Sequence, residues 1–192
     1  GYMFIGVGVG AYSAGIFHLM THAFFKGCLF LAAGSVIIGC HHNQDMRKMG
    51  GLKETMPITH WAYLMACLAI SGIPLFSGFF SKDEILFRAF ISEDMLLPGA
   101  GRFIWFIGAL GALCTAFYMF RSYYMTFTGK YRGDSSHTPH ESPRSMTNVL
   151  ISLGFLSIIG GAFGSLTTNC WNLYKLAQDQ QIFFKNLINT SF

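Results

Sequence analysis

The chain has 192 residues, of which 52% are hydrophobic, 16% aromatic and only 11% charged, with a formal net charge of +4. An average soluble domain carries roughly 25% charged residues; here charge is too sparse to cover a soluble surface, and the apolar residues gather in long blocks, the pattern of an integral membrane protein. No basic block with interleaved aromatics points to nucleic acid, and the five cysteines, with no CxxC pair, exclude a disulfide framework and read as inert buried thiols.

The opening run GYMFIGVGVGAY is apolar, has no initiator Met and shows no signal or transit pattern, so it reads as the interior of a longer chain. Residues 1–40 are apolar for longer than one span of about 20 residues needs. The small residues between Gly6 and Gly15 predict a break, leaving a helix end at 1–9 and a full helix near 12–39. The polar loop at 40–57 holds His41 and His42 as a solvated pair, and His60 is expected at the membrane interface. The block at 58–91 contains SGIPLFSGFFSKDEIL. Pro74 lacks an N–H and clashes with the preceding turn, which predicts a discontinuous helix: 58–72, an irregular linker, then 78–91. Further spans are predicted at 103–128 and 146–168, separated by an ordered extramembrane turn that includes HTPHESP. The expected fold is all-α, a polytopic bundle of about four full spans plus the end of a preceding one. Residues 1–168 form the membrane domain, and the tail at 169–192 reads as an interfacial amphipathic helix. The loops at 41–56 and 129–145 are richest in Lys and Arg and share a side, expected to be cytoplasmic or matrix.

Two groups of residues carry chemistry. In HLMTHAFFK, residues 18–26, the titratable residues His18, His22 and Lys26 recur every fourth position. In a helix such positions advance about 40° per step and form one slanted stripe, climbing about 12 Å. Thr21 and Ser13 are candidates to add hydroxyls to the same seam. The stripe suits a proton wire facing a hydrated interior; it also suits a structural seam bridging helices. An HxxxH pair is open to a metal or haem site as well, although Lys26 one turn away repels a cation and no second ligand set is evident. The second group is Lys82, Asp83 and Glu84, just after the Pro74 break. Charges with apolar residues on both sides point to function inside a membrane; the alternative is a membrane edge where Lys snorkels and the acids cap a helix. Arg88 lies one turn after Glu84 and is placed to pair with it.

The stretches AYSAGIFHLMTHAFFKGCLFLAAGSVI, QDMRKMGGLKETMPIT, ISGIPLFSGFFSKDEIL, TAFYMFRSYYMTF and HESPRSMT together resemble the largest antiporter-like membrane subunit of respiratory complex I, called chain L in bacteria and subunit 5 in mitochondria. The resemblance covers roughly residues 1–160. It implies a subunit of fourteen core helices with two inverted five-helix repeats, of which this chain supplies about the eleventh to fourteenth. It also implies that His18, His22 and Lys26 are central proton-path residues and that Lys82 with Asp83 is the terminal ionisable pair; Thr21, Glu84 and Arg88 are supporting candidates on the residue pattern alone. The implied activity is proton translocation in a NADH:quinone oxidoreductase of an energy-transducing membrane, mitochondrial inner or bacterial plasma rather than thylakoid. FMN, Fe–S clusters and quinone would belong to partner subunits, with no cofactor on this chain. The implied partners are the lipid bilayer and the other membrane-arm subunits, including whatever polypeptide supplies the earlier helices with the first half-channel. A multisubunit cation/proton antiporter or membrane-bound hydrogenase subunit is the alternative in the same superfamily. A non-transporting membrane scaffold is the alternative of another class.

Overall fold

A helix that faces lipid inverts the usual rule: its outer side is apolar, and its inner side carries the small and polar residues that pack helices together. The computed structural model, which describes residues 1–92, 99–133 and 138–162, shows this inversion most clearly in its first long helix. After α1 (Tyr2–Gly8) and a turn at residues 9–11, α2 runs over Tyr12–Gly39 without a proline. Its buried residues include Ala14, His18, Thr21, Phe25, Cys28, Ala32, Ser35 and Gly39, spaced three and four apart along one stripe. Its exposed residues include Ile16, Leu19, Phe30 and Leu31. Ser13 lies on the exposed side, outside the buried stripe.

A short 3-10 turn (Met46–Lys48) and the single-turn α3 (Leu52–Thr55) occupy the stretch predicted as loop. They precede α4 (Pro57–Ser71), α5 (Ser77–Ile91), α6 (Ala100–Phe127) and α7 (Arg144–Ala162). Among the described residues three helices, α2, α6 and α7, are long and apolar enough to cross a membrane. At 15 residues each, α4 and α5 rise only about 22 Å, short of a hydrocarbon core of about 30 Å. They are the two halves of the discontinuous helix expected around Pro74. The fold is therefore all-helical among the described residues, with one broken element. The predicted tail helix at 169–192 lies outside the described residues.

α2 is the organising element: it packs against α1, α4 and α5, while α6 packs against α4 and α5. Ring contacts of α7 with its neighbours sit at glycines, Gly154 under Trp61 and Gly160 under Phe24. The core is formed by Phe25, Cys28, Ala32, Met56, Ala66, Cys67, Phe127 and Leu150, all fully or almost fully buried.

The start of α4 is closed by a residue far along the chain. Pro57 needs no donor at the first helical position, but the next amides do. Glu141 accepts from the Ile58 amide at 2.9 Å, the Thr59 amide at 3.3 Å and the Thr59 hydroxyl at 2.5 Å. Ser35 links the Thr59 and Ser142 hydroxyls at 2.7 and 2.6 Å, tying α2 to the same cap. The Glu141 carboxylate also complements the positive end of the helix dipole. Glu141→Ala is expected to lower stability by about 1–2 kcal/mol, in the range of lost helix caps, whereas Glu141→Gln retains an acceptor and loses less. Thermal unfolding of the two variants in detergent checks the order.

Candidate functional site

The site begins at the end of α4, where the chain leaves the helix in a defined way. Gly72 adopts the left-handed conformation (φ 78°, ψ 34°), which a side chain with a Cβ disfavours. Its amide bonds to the Ala69 carbonyl at 3.1 Å, and the Ile73 amide bonds to the Leu68 carbonyl at 3.2 Å. This pair of bonds is a Schellman closure. In a continuing helix the Ile70 carbonyl would accept from residue 74, but residue 74 is proline and has no N–H. The Ile70 carbonyl is instead taken by the Lys82 amine, reaching across from α5. The break thus supplies the backbone acceptor that holds a lysine inside the bundle.

Lys82 is 6% exposed and its amine also lies over the Tyr2 ring, 5.2 Å from the centroid, a cation–π arrangement. Tyr2 is itself fixed: its hydroxyl donates to the Gly108 carbonyl of α6 at 2.6 Å. His18 also lies against Tyr2, ring centroids 5.6 Å apart. His18 is 3% exposed, with Nδ1 2.9 Å from the Ser81 hydroxyl. Thr21 donates to the same Ser81 oxygen at 2.9 Å and approaches the His18 carbonyl at 3.2 Å. One turn further along α2, His22 is half-buried, its ring centroid 5.9 Å from that of His18 and edge-on to Phe25. Another turn on, the half-buried Lys26 places its amine 5.3 Å from the Phe30 ring centroid.

His18, His22 and Lys26 from α2, Lys82 from α5, Tyr2 from α1 and Tyr118 from α6 line one cavity of about 240 Å³. That volume accommodates several waters at about 30 Å³ each. No carboxylate lines it among the described residues. The cavity therefore gathers four side chains that can hold and release protons, with hydroxyls nearby and no fixed counter-charge. Such a set can pass protons between bases through intervening water. No third His, Cys, Asp or Glu gathers with His18 and His22 into a metal-binding cluster among the described residues.

Asp83 stands apart. It follows Lys82 in sequence, but neighbouring helix positions do not share a face; Lys82 points inward and Asp83 is exposed, without an ion pair among the described residues. Glu84 and Arg88 pair with each other across one helical turn, Oε1 to Nε 2.9 Å, and neither lines the cavity. His60 lies outside the group, bonded through Nε2 to the Tyr123 hydroxyl at 2.8 Å. Sequence reasoning missed Ser81 and Tyr2. Ser81 had one available signal, a hydroxyl immediately before an intramembrane lysine; Tyr2, in an apolar run, had none.

Residues 1–108 match the family model described as NADH:quinone oxidoreductase/Mrp antiporter, TM. Chain 5 of the NAD(P)H-quinone oxidoreductase of Picosynechococcus sp. is 46% identical, the alignment covering 85% of this chain and 28% of that protein. NADH-quinone oxidoreductase subunit L of Neisseria meningitidis is 48% identical, over 84% of this chain and 26% of that protein. The chain thus spans less than a third of the length of these curated relatives. Among solved structures, the Mrp complex from Dietzia sp. shares the fold, with a TM-score of 0.71 at 19% identity over 86% of this chain and 38% of that one. A membrane-bound sulfane sulfur reductase, an archaeal respiratory complex, gives 0.70 at 30% identity over 83% of this chain and 26% of that one. With more than half of its length matched by the family model and its fold shared with these complexes, this integral membrane chain belongs to the NADH:quinone oxidoreductase/Mrp antiporter membrane-subunit family.

Proposed function

We propose that this chain carries part of a proton route in the membrane arm of a NADH:quinone oxidoreductase, as a portion of the subunit called L or 5. The observation that carries this reading is the single cavity in which His18, His22, Lys26 and Lys82 meet at a helix break. Ionisable side chains are expensive inside a bilayer and mark ion pathways there, and broken helices place free backbone groups beside such sites. Relatives named as quinone oxidoreductase subunits support the choice of complex. Lys26 and the histidines hold and relay protons along α2, and Lys82 receives them at the break. Asp83, exposed one residue beyond Lys82, is the acceptor on the far side of α5, with the Glu84–Arg88 pair steadying that face. Oxidation of the nicotinamide and reduction of the quinone, with FMN and Fe–S clusters, take place on partner subunits. Energy reaches this chain as a change in the charge or packing around the cavity.

Membership of a cation/proton antiporter is favoured by one observation, the shared fold with an Mrp complex. Affinity purification of the tagged full subunit from its native membrane separates the two readings. Recovery with NADH-oxidising, quinone-reducing activity is expected. Recovery in a complex that exchanges sodium for protons and has no redox activity would overturn the assignment.

A further inference from the structure

Ser81 sits where α2 and α5 meet and contacts three groups at once. Its oxygen is 2.9 Å from His18 Nδ1, 2.9 Å from the Thr21 hydroxyl that donates to it, and 3.4 Å from the Gly78 carbonyl. All three side chains, Ser81, Thr21 and His18, are buried. A serine hydroxyl has one proton to donate and two acceptor positions, so these neighbours can all be served in more than one arrangement. If Nδ1 carries a proton, that N–H donates to the Ser81 oxygen and the Ser81 proton turns to the Gly78 carbonyl. If Nδ1 is bare, Ser81 donates to it and accepts from Thr21. That second arrangement belongs to the other neutral tautomer, with the ring proton on Nε2, and Thr21 has an alternative acceptor in the His18 carbonyl at 3.2 Å. The other ring nitrogen, Nε2, has no hydrogen-bond partner among the described residues, and the ring lines the cavity.

We propose that Ser81 is a positioning residue that accepts from the His18 Nδ1–H in both the neutral and the charged ring, which leaves Nε2 as the nitrogen that takes a proton from the cavity and returns it without the ring turning. This rests on the proton-route reading above. Without Ser81 the Nδ1–H would be buried with no partner, at a larger cost in the charged ring than in the neutral one, so the loss falls on the step in which His18 gains a proton. The titratable side chains that line the cavity with His18 are His22 and Lys26 on the same helix, Tyr2 on α1, Lys82 on α5 and Tyr118 on α6. None of these bonds to Nδ1. Ser81 is the only side chain bonded to that nitrogen among the described residues.

The test compares Ser81→Ala, Ser81→Thr and Lys82→Met in the assembled full complex, reconstituted into vesicles, by proton translocation at matched complex content. Loss of a hydrogen bond to a charged group is expected to slow translocation about tenfold in Ser81→Ala, and the retained hydroxyl of Ser81→Thr restores it to within about threefold of the natural protein. Equal loss in both Ser81 variants would overturn the proposal, because the hydroxyl would then not be what matters. Full translocation in Ser81→Ala with none in Lys82→Met would overturn it while leaving the proton route standing; full translocation in Lys82→Met would overturn the route itself. If Ser81→Ala does not accumulate, Thr21→Val carries the test, since it removes the hydroxyl that donates to Ser81 at little change in shape. A loss of about threefold supports the proposal, and unchanged translocation overturns it.

Discussion

Lys82→Met is expected to slow proton transfer through the cavity about a hundredfold or more, the scale set by positioned proton donors and acceptors, while leaving the complex assembled. Methionine matches the length of the lysine chain and packs well in irregular cores, but it cannot carry a proton. The Ile70 carbonyl then loses the only side-chain donor it has among the described residues, at a cost of about 1–3 kcal/mol, small enough for the bundle to survive. Lys82→Arg sharpens the result. A guanidinium keeps the positive charge and can still reach a carbonyl, yet it does not give up its proton. If Lys82 acts by exchanging a proton, arginine fails as methionine does; if it acts as a fixed charge, arginine works. Protons moved per electron transferred, measured in vesicles, distinguish the two.

Gly78→Val is expected to prevent assembly. A Cβ at Gly78 would overlap the Ala69 carbonyl of α4, a backbone atom that cannot swing aside as a side chain can. Relief requires α5 to move away from α4, which would draw Lys82 off the Ile70 carbonyl and open the Ser81 contacts to α2. Overpacking of this kind costs about 1–3 kcal/mol or more. The amount of assembled complex in the membrane reads the effect. Gly111→Ala is the contrast: its added methyl meets nothing within 4 Å, and replacing a mid-helix glycine with alanine gains about 0.5–1 kcal/mol. Wild-type levels are expected there.

Much of this architecture is legible in the sequence because membrane helices declare themselves by length and by what interrupts them. Pro74 announces the break, and the helices end at Ser71 and resume at Ser77. The four-residue spacing of His18, His22 and Lys26 announced a single face, and the three line a single cavity. What could not be read is long-range. Ser81 meets His18 across 63 positions, and Glu141 reaches the start of α4 across 83. Nothing local marks a serine or a glutamate for such a partner. Lys82 and Asp83 illustrate the opposite problem. Adjacency in sequence suggested one ionisable station, but a helix turns about 100° per residue, and the two side chains point to different surroundings. Helical geometry alone would have separated them.

The central claim is that lysines on two different helices serve one route. The most direct measurement is proton translocation, at matched electron transfer, by complexes carrying Lys26→Met, Lys82→Met or both. Residues acting in one pathway are strongly non-additive, so the double variant is predicted to translocate no worse than the more impaired single variant. A double loss equal to the product of the two single losses, or normal translocation with both lysines replaced, would contradict a shared route through this cavity.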